Sequence, residues 1–320
     1  MSTILLAFSK DVLSADQLAR IEAAAPDRTL MQSMDESEIR QHLDDIEIAV
    51  GHFPLHLLPE ASHLRWFQQW SAGADWLLDH LEVQEMDFTL TSASGVHAIP
   101  ISEHVFAFLL AFARDLRHSW QAQLEHQWDE LSNRDTFEVA GKTMLLIGVG
   151  EIGERTAHIA AALGMHVIGV RHDPSKEEAG IDEMRGQDEL LEVLPQADVV
   201  VSTVPLTEET RNMLGAAEFA AMKRGAYLIN IGRGGTVDQE ALIQALRSKQ
   251  IAGAGLDVFQ EEPLDKGSPL WAMENVLITP HSSGVTPQYN ERAFAIFMDN
   301  LERYLQGQAL QNVVDKRSGY

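Results

Sequence analysis

Cysteine is absent from all 320 residues. That excludes disulfides, thiolate metal sites and cysteine nucleophiles, and it is compatible with a reducing, cytoplasmic setting. Basic residues are scarce: 24 Lys and Arg stand against 48 Asp and Glu, a formal net charge of −24. A surface of that sign repels nucleic-acid phosphate and anionic lipid, so neither is an expected partner. It also makes any arginine in a cleft informative, because an anionic ligand there needs a local cation. Long apolar runs are missing too. The most tempting one, Val105 to Ala113, has nine residues between His104 and Arg114, whereas a membrane-spanning helix needs about 20. It reads as a buried core helix. The start, Met1-Ser2-Thr3-Ile4-Leu5-Leu6-Ala7-Phe8, lacks a basic region and a small-residue cleavage site, so it reads as a strand, not a signal peptide. Short repeats, Gly/Ser linkers, an HExxH pair and a clear acidic metal loop are also absent. No metal is expected.

What is present is an ordinary globular balance, 45% hydrophobic residues with a mean hydropathy of −0.13, in a chain long enough for two cores. Strand-like Ile4–Phe8, Ile46–Val50 and Leu64–Trp70 alternate with an amphipathic helix at Ala15–Ala25. A helix over Ile101–Leu116 follows. Then come Met144–Ile147, Val167–Val170, Asp198–Thr203, Ala226–Ile231, Gly253–Val258 and Val276–Thr279. They are rich in Val, Ile and Leu without alternation, the pattern of parallel strands buried on both faces. A last helix from Pro287 towards Gly307 returns to the first domain. The expectation is an α/β protein of two Rossmann-like or flavodoxin-like parallel-sheet domains, one of them discontinuous: 1–97 plus 287–320, and 98–286.

Gly148-Val149-Gly150-Glu151-Ile152-Gly153 lies directly after the strand Met144–Ile147 and opens a helix. A lone G-x-G-x-x-G is weak evidence, but strand, turn and helix give it the context of a dinucleotide site. Gly148 would make the tight turn, and Gly150 would let a pyrophosphate approach the backbone. Gly153 would let helix and strand pack closely. The amides of Glu151 and Ile152 would face the phosphates at the helix N-terminus. The next strand ends at Arg171, 18 residues after Gly153, where an NAD site usually has an acid. A guanidinium there suits a 2′-phosphate, so NADP(H) is the preferred cofactor, with NAD(H) possible. Asp173, beside Pro174, reads as a turn residue. A solvated strand-end arginine is the bland alternative.

Three further segments carry the chemistry: Asn230-Ile231-Gly232-Arg233-Gly234, the run Asp257–Leu264, and Thr279-Pro280-His281. Together with Thr203-Val204-Pro205-Leu206-Thr207, Thr210 and Arg211, Val237-Asp238 and the glycine fingerprint, they identify a resemblance. From Gly73 to His281 the chain resembles the D-isomer-specific 2-hydroxyacid dehydrogenases, nearest to the glyoxylate/hydroxypyruvate reductase-like branch. The tail Asp315–Tyr320 is similar as well.

That resemblance implies a catalytic triad of Arg233, Glu262 and His281. The chemistry agrees. A guanidinium flanked by glycines can grip a carboxylate in bidentate fashion and polarise the adjacent carbonyl. Histidine has the proton affinity to protonate that carbonyl as hydride arrives, and Glu262 would orient the imidazole and keep it charged. Singly, each residue has a structural reading: a surface loop, an ordinary turn, one histidine among 13. His97, His104, His158 and His166 take that bland reading.

The resemblance further implies that Val204, Pro205, Thr210, Ile231 and Asp257 line the cofactor cleft. Asp257 would meet the nicotinamide carboxamide or ribose, with a structural strand-end role as the alternative. The turn containing Ala72, Gly73 and Ala74 would present amides to the substrate carboxylate. His52 and Phe53 would close the pocket or cap a domain edge. Trp120 and Trp128 would sit on a homodimerisation arm or pack within the chain. Domain closure would expel water from the site. The implied activity is NADPH-dependent reduction of a small 2-keto acid to the D-2-hydroxy acid. The alternatives are an NAD-linked phosphoglycerate-type dehydrogenase, with formate or phosphite oxidation further off, and a non-catalytic dinucleotide-sensing co-regulator.

Overall fold

A computed structural model describes residues 2–132, 136–176 and 178–317. Ser318, Gly319 and Tyr320 of the tail lie outside the described residues. The chain divides into two compact units, Met1–His97 with Thr286–Tyr320, and Ala98–Val285.

In the first unit the elements run β1 (Thr3–Ala7), α1 (Ala15–Ala24), β2 (Thr29–Gln32), α2 (Glu36–Gln41), β3 (Ile46–Gly51), β4 (Trp66–Gln69) and β5 (Thr89–Thr91). All pairings are parallel, in the order β2-β1-β3-β4-β5. This is the flavodoxin-like order. The central strands are buried on both faces, which is why they read as uninterrupted apolar runs. The long C-terminal helix Tyr289–Leu305 belongs to this unit. It lays Phe294, Phe297, Met298 and Leu301 against Ile4, Leu6, Ile48 and Trp66. Beneath it the Trp66 indole donates to Thr91 Oγ1 at 2.7 Å, and Thr91 and Asn300 donate to Gln68 Oε1. Buried polar groups in this layer thus have partners. The ammonium of Lys316 donates to the carbonyls of Met86 and Phe88, tying down the end of the chain.

The second unit opens with α3 (Ala98–Ala113) and α4 (Leu116–Leu124). One helix expected to reach Leu116 is thus two, because Asp115 adopts a left-handed φ of 46° between them. There follow β6 (Thr143–Ile147), α5 (Glu151–Ala162), β7 (His166–Arg171), β8 (Glu183–Gly186), α6 (Leu190–Val193) and β9 (Val199–Ser202). The last are α7 (Ala216–Ala221), β10 (Ala226–Asn230), α8 (Gln239–Arg247), β11 (Ile251–Leu256) and β12 (Val276–Ile278), which makes Tyr289–Leu305 α9. The seven strands are parallel in the order β12-β11-β10-β9-β6-β7-β8. Strand order reverses between β6 and β9, and in such sheets ligands bind beyond the carboxyl ends of the strands at that reversal. Among the described residues no helix is long and apolar enough to cross a membrane.

Candidate active site

At the reversal point the glycine turn follows from local sterics. Gly148 takes φ 93°, and a Cβ there would lie 2.8 Å from Thr203 Oγ1. The Thr203 hydroxyl donates to the Gly148 carbonyl at 2.8 Å, stitching the β6 turn to the end of β9. A Cβ on Gly153 would come within 2.5 Å of the Gly148 carbonyl oxygen, so only glycine lets α5 begin this close to the turn. Gly150 is the N-cap of α5 and offers no side-chain cap, while a Cβ on it would meet nothing within 4 Å. An uncapped twelve-residue helix therefore opens onto clear space with its amides and its positive dipole end, and this fits a pyrophosphate. Glu151 is exposed at the mouth, and Ile152 packs partly into the core beneath.

Arg171 ends β7 as expected, but it is not a solvated side chain. Its Nη1 donates to Glu178 Oε1 at 3.2 Å, and its side chain is only 19% exposed. Asp173 is a turn residue: its carboxylate accepts from the Ser175 amide and hydroxyl. Val204 and Pro205 extend from the β9 end. Thr210 is buried, and its hydroxyl donates to the Pro205 carbonyl at 2.7 Å. Its polar atom thus braces this loop from within.

After β10, Asn230 is buried and fixes the arginine turn from both sides. Its Nδ2 donates to the Arg233 carbonyl at 3.2 Å, and its Oδ1 accepts from the Gly232 amide at 3.1 Å. Thr236 Oγ1 donates to the same Arg233 carbonyl at 2.7 Å. Ile231 is core, 4% exposed. A Cβ on Gly234 would lie 1.9 Å from the Phe259 carbonyl carbon. The arginine turn therefore packs directly on the backbone of the loop that carries Glu262.

That loop orients its glutamate with main-chain help. Glu262 Oε1 accepts from the Phe259 amide at 2.9 Å, while Oε2 meets His281 Nδ1 at 2.6 Å. Nδ1 is thereby engaged, and the imidazole is half exposed. His281 itself has φ 51°. Its amide donates to the carbonyls of Asp257 and Thr279 at 2.8 and 3.1 Å.

Asp257 has a role that the sequence did not reveal. It is fully buried and accepts from the Thr279 hydroxyl at 2.6 Å, from the Ser282 amide at 2.8 Å and from the Ser283 amide at 3.0 Å. Its carboxylate clamps the chain on either side of His281. Burial alone would raise its pKa. The hydrogen bonds from Ser283, Thr279 and the two amides outweigh that and hold it below the usual carboxylate range. His104, read as structural, joins this cluster through Nε2 to Thr279 Oγ1 at 3.0 Å. Burial lowers its pKa, against the opposing pull of Asp257. No spacing in the sequence links a histidine on α3 to a threonine 175 positions away.

The other three histidines read as structural, His97, His158 and His166, take that role. His158 Nδ1 faces its own helix at the Glu154 carbonyl, His166 pairs with Asp182 and Glu183, and the His97 ring lies against Tyr289. In the first unit, Ala72 and Gly73 are part-buried and Ala74 is buried. The Gly73 carbonyl accepts from Gln69 Nε2 at 2.8 Å and Ser71 Oγ at 3.1 Å, which fixes the turn. Phe53 is core against Phe67, and His52 is exposed at the edge of the Phe8 ring. Among the described residues, no group of three or more His, Asp and Glu is arranged to hold a metal ion.

Residues 106–283 match the NAD binding domain of the D-isomer specific 2-hydroxyacid dehydrogenases. The chain belongs to that family. Its members are NAD(P)-dependent oxidoreductases, and this chain is one of them. It is 34% identical over 275 residues to the glyoxylate reductase of Aeropyrum pernix, covering 81% of this chain and 79% of the relative. Among solved dehydrogenases, the family member from Aeromonas salmonicida subsp. salmonicida superposes with a TM-score of 0.85 at 34% identity, covering 98% and 99% of the two chains. The NADPH-dependent glyoxylate/hydroxypyruvate reductase of Sinorhizobium meliloti, solved with NADP and sulfate, gives a TM-score of 0.82 at 29% identity over the whole of both chains.

Proposed function

We propose that this dehydrogenase reduces a small 2-keto acid of the glyoxylate or hydroxypyruvate type to the D-2-hydroxy acid, with NADPH as donor. The observation that carries the reading is the 2.6 Å contact from His281 Nδ1 to a glutamate that its own backbone already holds. The opposite ring nitrogen, Nε2, is left to hold a transferable proton.

NADPH, when bound, would supply the hydride that the keto carbon receives. His281 gives its Nε2 proton to the carbonyl oxygen, so that hydride and proton together convert C=O to CH–OH. Arg233 holds the substrate carboxylate and draws electron density from the adjacent carbonyl. Gly148, Gly150, Gly153 and the amides of Glu151 and Ile152 hold the pyrophosphate. Arg171 would meet the 2′-phosphate, and Val204, Pro205, Thr210 and Ile231 would line the cofactor cleft. Asp257 keeps the His281 loop in place.

The protein acts as a homodimer. Trp120 is 57% exposed and Trp128 93% exposed on and just after α4, and indole surface left in water favours a second copy.

The test is consumption of NADPH and NADH, in parallel, with glyoxylate, hydroxypyruvate and phosphohydroxypyruvate. Fast NADPH oxidation with either of the first two is expected. A preference for the phosphorylated acid with NADH would point to the phosphoglycerate-type enzyme. Tight dinucleotide binding without turnover on any acid would point to a sensor.

A further inference from the structure

The guanidinium that marks the end of β7 already has an anion. Arg171 donates from Nη1 to Glu178 Oε1 at 3.2 Å, in a setting where the two side chains are 19% and 27% exposed. Glu178 lies in the loop between β7 and β8. That loop does not depend on the ion pair for its course. Gly180, at φ 83°, packs against the backbone of His158 on α5, Ile181 packs on the core, and the Asp182 carboxylate accepts from the Val167 amide at 2.8 Å. At its start, Asp173 closes a turn with Ser175.

A second carboxylate, Glu154 on α5, faces the same place. Burial first, and then the charge of Glu178, push its pKa up, while Arg171 works in the other direction. One cation therefore sits among two carboxylates, at the position where the chain would take up a 2′-phosphate.

We propose that Glu178 is a second specificity-determining residue of the cofactor ribose corner, acting against Arg171: it occupies the guanidinium, so a 2′-phosphate gains its arginine only by displacing a resident carboxylate. This rests on the assignment of Arg171 to the 2′-phosphate. The carboxylate acts twice against NADPH, by competing for the guanidinium and by repelling the incoming dianion. A cofactor with a plain 2′-hydroxyl meets neither obstacle. The arginine alone would make the chain strongly selective for NADP(H), and Glu178 narrows that selectivity. Part-exposed ion pairs of this kind are weak, so the exchange is feasible and the expected effect is about fivefold in affinity.

Binding, without turnover, tests this. Intact protein is titrated calorimetrically with adenosine 2′,5′-bisphosphate and with 5′-AMP, in the wild type, Glu178→Gln and Arg171→Ala. Glu178→Gln is expected to tighten the bisphosphate about fivefold relative to 5′-AMP. Arg171→Ala is expected to weaken the bisphosphate by about tenfold or more on the same scale. If Arg171→Ala weakens it but Glu178→Gln leaves the ratio unchanged, the proposal is overturned and the NADP(H) assignment stands. If Arg171→Ala has no effect, the assignment falls and the proposal with it.

Discussion

Two corners of the second unit set a basic side chain beside a glutamate, and they are anchored in opposite ways. At His281, Glu262 is held by the Phe259 amide as well as by the imidazole. Asp257 clamps the chain beside the histidine with two further amides and a hydroxyl. At Arg171, Glu178's carboxylate meets the guanidinium, and among the described residues no main-chain amide donates to it. A carboxylate fixed by main-chain donors orients its neighbour and goes nowhere. One held by its neighbour can be exchanged for another anion. The difference matches the tasks proposed for the two corners: one keeps a proton donor in place through every turnover, and the other admits and releases a cofactor.

Three experiments separate the corners by size of effect. His281→Ala should reduce turnover of the keto acid by about 10²–10⁴-fold, with calorimetric dinucleotide binding retained. Turnover near wild type would remove the histidine from the chemistry and leave its anchoring without purpose. Asp257→Asn should cost about 1–3 kcal/mol in urea unfolding, because buried amides lose part of their acceptor. The sign of its pH dependence follows from the lowered pKa. The carboxylate's contribution is complete above the unfolded value of about 3.9 and fades as pH falls through the lower folded value. The gap between wild type and variant should therefore close only in strong acid. Smallest is Glu178→Gln, expected to change unfolding free energy by no more than about 1 kcal/mol. A loss as large as that at Asp257 would mean that the ion pair builds the loop, and the contrast between the corners would break.

The same contrast governs what could be read from the sequence. Seven of the eight interior strands, β1, β3, β6, β7, β9, β10 and β11, announce themselves as apolar runs, since burial on both faces favours apolar residues throughout; the eighth, β4, ends in the buried Gln68 and Gln69. Strands β2, β5 and β8 all lie at sheet edges. Their polar sequences Thr-Leu-Met-Gln, Thr-Leu-Thr and Glu-Met-Arg-Gly carry no such signal. The glycine turn was legible because its requirements are local: one positive φ and one forbidden Cβ. Asp257 was legible as a strand-end acid but not as the clamp of the His281 loop, since its partners lie 22 to 26 positions away. Glu178 was invisible for a related reason. Nothing in a loop of mixed acids marks which one folds back onto Arg171.

The two units differ in how the chain builds them. The second unit is a single stretch, Ala98–Val285, whereas the first needs α9 to cover Ile4, Ile48 and Trp66. Domains usually fold in the order of synthesis. Here residues 1–97 precede the second unit along the chain, whereas α9, which joins α1 in covering one face of their sheet, follows it. The dinucleotide-binding unit can close its core while its neighbour still waits. Until Phe294 and Phe297 join it, the face formed by Ile4, Ile48 and Trp66 keeps part of its apolar surface in water.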